Sequence, residues 1–312
     1  MNISPLVALL ALLTPVAAAA QVIDDPEAAV VEALVVNAKL PGPAWWKVSD
    51  ADTTIYVLGV PPALPKGMAW DQSVLDHRLD GAFALITPPE ARAGFTDIPA
   101  LLKLRKTLKA DKPLQETSPA LAARLARAWA AADPKDAEGW RDWKPLGAGI
   151  LLAGKANKAA ALVGSEPDRT IGKLARKHRV KTRIAATYKA MPMIKAVAKG
   201  HSEATGLACL EEVLDEVEAG TGDARRLARD WAEGNVRGAL AASRGGQRCE
   251  LQLPGVPELA RRATADEATA LTEALKTPGH AVATFPLRGL VAENGVLDQL
   301  RAKGFTVRTP GD

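Results

Sequence analysis

Histidine and cysteine are scarce in this chain, four and two among 312 residues, and their spacing excludes several kinds of chemistry. None of His77, His178, His201 and His280 has another histidine three to five positions away, the spacing that places two imidazoles on one metal. Neither Cys209 nor Cys249 has a second Cys or His at ligand spacing, which excludes a metal site built on the cysteines. There is no Gly-x-Ser-x-Gly elbow, P-loop or dinucleotide fingerprint, and Gly164-Ser165 lacks the second glycine of the elbow. After the first twenty residues no stretch is long and apolar enough to span a bilayer. Short-period repeats and low-complexity regions are also missing.

What is present describes a folded, exported protein. With 47% hydrophobic and 24% charged residues, the chain can build a normal core. The first twenty residues have no charged side chain, and an apolar stretch from Leu6 runs into Ala17-Ala18-Ala19-Ala20 before Gln21. That pattern reads as a signal peptide over 1–20, cleaved after Ala20, and places the protein in the periplasm or outside the cell. The competing reading, an uncleaved anchor, needs about 20 apolar residues and the run is shorter. Residues 21–44 read as an N-terminal helical or linker segment and 45–310 as the main domain. In an oxidising compartment the even pair Cys209 and Cys249 favours a disulfide, the other reading being two buried free thiols.

The element pattern is α/β, with a central mixed sheet flanked by helices and a largely helical middle insertion. Trp46 to Ser49 and Thr53 to Leu58, separated by Asp50-Ala51-Asp52, predict an opening hairpin. Asp71 can cap a helix carrying Val74, Leu75 and Leu79, and Ala82 to Ile86 reads as a buried strand stopped at Thr87-Pro88-Pro89. Ile98, Leu101, Leu102, Arg105 and Leu108 make an amphipathic stretch, and Ser118-Pro119 opens a further helix. A helix from Glu166 through Leu174 precedes a strand over Val180 to Ala185. Long helices are expected from Glu203 to Glu218, Asp223 to Glu233 and Val256 to Leu275. At the end, a strand over Ala281 to Phe285, a helix over Val291 to Lys303 and a strand over Phe305 to Arg308 predict a parallel βαβ pair.

Two of these strands carry the most informative residues. Thr53-Thr54-Ile55-Tyr56-Val57-Leu58-Gly59-Val60-Pro61-Pro62 and His280-Ala281-Val282-Ala283-Thr284-Phe285-Pro286-Leu287-Arg288-Gly289 resemble the two signature segments of the TraB/GumN family, in which an apolar strand runs into Gly-x-x-His. The likeness extends from about Trp45 to Thr309. It includes Glu166-Pro167-Asp168, the stretch Trp231-Ala232-Glu233-Gly234-Asn235, and the closing Gly295-Val296-Leu297 with Gly304-Phe305-Thr306-Val307. The resemblance implies an α/β fold related to Tiki proteins, metal-dependent proteases, and to erythromycin esterase-like proteins. It also implies a divalent Mn, Co or Zn bound by the two histidines and acidic residues.

In this chain Gly59 is kept, Pro62 and Pro286 stand where the histidines would be, and Ala283 replaces the second glycine. Proline offers neither a side-chain donor nor a backbone N–H. Thr87 occupies the approximate place of an expected acidic residue, with Glu90 three positions on, and a family arginine corresponds to Arg261 or Arg262.

Residues 155–199 hold twelve Lys or Arg against Glu166 and Asp168, and 203–233 hold nine Asp or Glu against three Arg. These blocks either face each other, stand solvated, or offer a basic face to an anionic polymer or partner. No recognition motif for nucleic acid accompanies the charge. Two functional readings follow. The preferred one is a secreted non-catalytic family member with no cofactor, which binds an envelope protein or anionic polymer at a degenerate cleft formed by Gly59, Pro62, Glu90 and Pro286. The alternative is a hydrolase or peptidase whose metal ligands have moved to residues such as Glu90 or His280, or which works without a metal.

Overall fold

A computed structural model describes residues 23–94, 97–164 and 166–312, so the expected signal peptide lies outside the described residues. The chain enters through a single 3-10 turn at Glu32–Leu34 and then forms the hairpin of β1 (Trp45–Ser49) and β2 (Thr53–Val60). The Asp50 carboxylate closes the turn by accepting the Thr53 N–H at 2.9 Å, the local bond that makes Asp a turn residue. The short β3 (Leu64–Pro65) follows, then α1 (Ser73–Leu79). Asp71 accepts from both the N–H (2.8 Å) and the hydroxyl (2.6 Å) of Ser73, supplying the expected cap one residue before the helix-flanking Gln72. β4 (Leu85–Thr87) ends before Pro88-Pro89, and β5 (Glu90–Arg92) comes next.

The middle of the chain is helical: α2 (Ile98–Thr107), α3 (Leu114–Thr117), α4 (Pro119–Ala132) and α5 (Pro145–Ala159). β6 (Leu162–Val163) pairs antiparallel with β3. Then come α6 (Glu166–Lys177), β7 (Thr182–Ile184), β8 (Thr187–Lys189), α7 (Ala190–Gly200) and α8 (Glu203–Ala219). α9 (Thr221–Ala232), α10 (Val236–Leu240), α11 (Gly245–Leu251) and α12 (Val256–Ala274) lead back to the sheet. The chain closes with β9 (Gly279–Pro286), α13 (Leu287–Val291), α14 (Val296–Ala302) and β10 (Thr306–Arg308).

The central sheet is mixed and six-stranded, ordered β10-β1-β2-β9-β4-β7. β1 runs antiparallel to both of its neighbours, whereas β2, β9, β4 and β7 are mutually parallel. Ala281 to Phe285 are buried without a break, as expected for a parallel strand covered on both faces.

Two expectations need correction. β9 and β10 point the same way but do not pair, because β1 and β2 lie between them. The helix expected over Val291 to Lys303 is broken: Ala292 bridges to Val30 and the Glu293 N–H donates to the Ala29 carbonyl. These N-terminal contacts take up backbone that a continuous helix would have used. At the break, a side chain on Gly295 would meet the Gly289 carbonyl at 2.4 Å.

The buried residues form two clusters. One surrounds the sheet and includes Trp46, Phe285 and Leu300. The other lies in the insertion, where Leu125, Trp129, Leu146, Leu210 and Val213 join α4, α5 and α8. Cys209 and Cys249 form a disulfide in that second cluster, tying α8 to α11. Among the described residues no helix is long and apolar enough to cross a membrane.

Candidate functional site

Parallel sheets bind ligands beyond the carboxyl ends of their strands, and here those ends carry the quoted motifs. β2 and β9 pair in parallel register with Gly59 opposite Phe285 and Val60 opposite Pro286. Pro62 and Pro286 therefore reach one cleft of about 340 Å³, with Pro88 from the end of β4 on the same wall.

Gly59 lies beneath the cleft. A Cβ there would meet Leu287 Cδ1 at 2.5 Å and Trp46 at 3.2 Å, so the glycine lets α13 pack onto β2. Its carbonyl accepts from Trp231 Nε1 at 2.7 Å, while Asn235 caps α10 through the Gly238 N–H at 3.0 Å. The Trp-x-x-Gly-Asn stretch thus braces the strand end and the neighbouring helix.

Glu90 is not part of this cleft. It sits on β5, exposed, where it pairs with Arg92 at 3.0 Å, because the chain turns away from the sheet after Pro88-Pro89 and pairs β5 with β8. His280 is at the opposite end of β9, about 20 Å from Pro286 at ~3.3 Å per residue. Its Nε2 lies 3.1 Å from the Arg78 carbonyl. His178 contacts Asp76 at 2.7 Å and His201 the Val197 carbonyl at 3.0 Å. Arg261 pairs with Asp24, and Arg262 lies 3.8 Å from Asp266 and over the Tyr188 ring; neither lines the cleft.

The charged groups in and beside the cleft come from elsewhere in the chain. Arg244 grips Asp25 with two bonds of 2.7 and 3.2 Å, reaches Glu27 at 3.4 Å, and donates from Nε to Gln247 at 3.2 Å. Arg288 donates to the backbone carbonyls of Glu27, at 3.4 Å, and Leu240, and has no carboxylate ion-pair partner among the described residues. Burial and the neighbouring Arg244 charge push the Arg288 guanidinium pKa down. Burial pushes the Glu27 carboxyl up against the pull of Arg244, and burial also raises Asp168 at the start of α6. Behind them Glu267 is 3% exposed and pushed up to about 8, first by burial and then by Glu27.

Of these residues, Arg288 had a sequence signal, standing two positions after Pro286. Asp25 and Glu27 had none, since the segment 21–44 carries no recognisable pattern. Arg244 meets Asp25 across 219 positions.

This donor set does not fit the divalent metal that the sequence likeness implies. Both strand ends present proline, Glu27 and the adjoining Asp25 are engaged by Arg244, and Asp168 is left as a single lining carboxylate, too few donors to hold a cation that two guanidinium groups would repel. Among the described residues no three His, Cys, Asp or Glu side chains cluster in a metal-holding arrangement. Ser243 lines the cleft without a hydrogen-bonded base beside it, and the lining includes no histidine or cysteine. The arrangement can desolvate and hold an acidic group against Arg288.

No curated protein and no solved structure matches the chain. The model of the TraB/PrgY/GumN family matches residues 44–309, which spans the whole sheet, the insertion and both proline-bearing strand ends. The chain belongs to the TraB/PrgY/GumN family.

Proposed function

We propose that this is an exported, non-catalytic family member whose cleft binds an acidic group of an envelope protein or anionic polymer. The observation that carries the reading is the meeting of Pro62 and Pro286 in one cleft, beside an arginine, Arg288, that bonds to backbone carbonyls and makes no direct ion pair among the described residues.

The flank of the cleft supports the same reading. Asp168 lines the cleft, and α6 runs from it with exposed Arg169, Lys173 and Arg176 at i, i+4 and i+7, none of them ion-paired among the described residues. This stripe extends about 10 Å along one helix face. The acidic block does not neutralise it: on α8, Asp215 and Glu218 pair with Arg124, and Glu212 pairs with Arg248.

The test measures binding of a fluorescent acidic polysaccharide to the exported chain across a salt series, together with metal content after incubation with Mn, Co and Zn. Binding that weakens with salt is expected. Arg288→Gln should lose about tenfold in affinity, with Arg288→Lys retaining part of it. Stoichiometric metal together with cleavage of peptide or ester substrates would overturn the reading. N-terminal sequencing of the exported protein should begin at Gln21.

A further inference from the structure

The insertion carries a second, half-open cavity of about 480 Å³, separate from the strand ends. Its walls come from Leu101 on α2 and Leu108 just past its end, Leu146 and Ile150 on α5, Val197 on α7 and Leu259 on α12. Among the described residues they include no Ser, Thr, Asn, Gln or acidic residue, and Arg105 is the one charged side chain.

Arg105 lies 5.2 Å from the centre of the Trp143 ring and has no ion pair among the described residues. Its neighbour on the same ring, Lys109, differs in that Asp142 holds it at 2.7 Å. The apolar surface continues outside the cavity along α2, where Ile98 and Leu102 are 49% and 58% exposed. The sequence periodicity foretells these residues on one helix face, yet part of that face remains in water.

An apolar cavity in the size range of small-ligand sites, with a single unpaired guanidinium, matches an extended hydrocarbon carrying one acidic head. We propose that this cavity binds one single-chain anionic amphiphile, a fatty acid or a lysophospholipid, with its acyl chain among Leu101, Leu146, Ile150 and Val197 and its acidic head on Arg105. Such a ligand would supply the carboxylate or phosphate that Arg105 lacks, and the exposed Ile98 and Leu102 would lie at the mouth where the chain enters.

The test titrates the full chain by calorimetry with palmitate, lysophosphatidylglycerol and hexadecanol. One saturable site is expected for an acidic amphiphile, and the tighter of the two acids identifies the head group. Ala196→Trp adds bulk to the cavity from α7 and Ile150→Trp from α5, both at lining positions with exposed side chains. Either should weaken binding about tenfold or more at an unchanged melting temperature. Arg105→Gln should weaken the acids by about tenfold and leave hexadecanol unaffected. The proposal fails if neither acid binds saturably, if both tryptophan variants bind like the parent chain, or if the chain is a dimer that buries the cavity mouth and takes up no amphiphile.

Discussion

The sheet and the helical insertion each carry a core and a cavity, and they solve the same packing problem with different materials. In the sheet, the parallel ladder of β2, β9, β4 and β7 satisfies the backbone, and its ends open onto a cleft where prolines, arginines and carboxylates meet. In the insertion, side-chain packing among α4, α5 and α8 and one disulfide hold the helices together, leaving an apolar space lined by leucine, isoleucine and valine. Strand ends bring charged loops together because every parallel strand finishes on the same side. Helix packing leaves apolar gaps where ridges fail to fill grooves. The side-chain chemistry that each cavity offers follows from how that region is built.

The largest effect expected to break this comparison comes from the covalent tie. Opening the 40-residue loop by Cys209→Ala with Cys249→Ala should cost on the order of 4 kcal/mol by loop entropy, read by urea unfolding. If the regions differ as described, amide exchange should rise first in α8 and α11 while β9 stays protected. Equal loss of protection in β9 would mean that the two cores behave as one.

The next largest concerns pH and belongs to the sheet side. Glu267 titrates near 4.5 when unfolded and at about 8 in the fold, so between those values the folded state holds the extra proton. Its contribution to stability is therefore greatest below pH 4.5, falls as pH rises towards 8, and is flat beyond. Glu267→Gln should remove that slope and raise stability at pH 8 by a few kcal/mol, measured by denaturant unfolding at pH 5 and pH 8. An unchanged difference between the two pH values would show that Glu267 does not govern it.

A smaller effect is expected at Gly59, where family likeness and packing offer different explanations. The Cβ of Gly59→Ala would press on Leu287 and Trp46, so the variant should lose about 1–3 kcal/mol, seen as a lower melting temperature. A variant as stable as the parent would remove the packing explanation for this glycine.

These residues show what the sequence could reveal. β9 was legible because a parallel strand buried on both faces is a continuous apolar run, β2 because a β-type run follows the turn at Asp50-Ala51-Asp52, and α4 because Ser118-Pro119 marks a helix start. The meeting of the two motif ends follows from one register, Val60 opposite Pro286, which the βαβ pattern alone could not specify. The break between α13 and α14 was hidden because its cause lies in Ala29 and Val30, more than 250 positions earlier. A separation of 217 to 219 positions hid the Arg244 contacts to Asp25 and Glu27: ion pairs between remote segments leave no local spacing to read.

Glu90 is the position where sequence proximity and the fold diverge most clearly, and it carries the smallest prediction. It lies three residues beyond β4, yet its side chain is 49% exposed and among the described residues pairs with Arg92, itself 62% exposed. An exposed pair of this kind contributes about 0–1 kcal/mol, because water screens the attraction and two long side chains must be ordered. Glu90→Ala should shift stability by no more than about 0.5 kcal/mol and leave polyanion binding at the cleft unchanged. Arg288→Gln, within the same sheet region, should weaken that binding about tenfold. If Glu90→Ala altered binding as strongly as Arg288→Gln, the acid-binding surface would have to extend across β5 and β8, and the functional region would no longer be confined to the ends of β2 and β9.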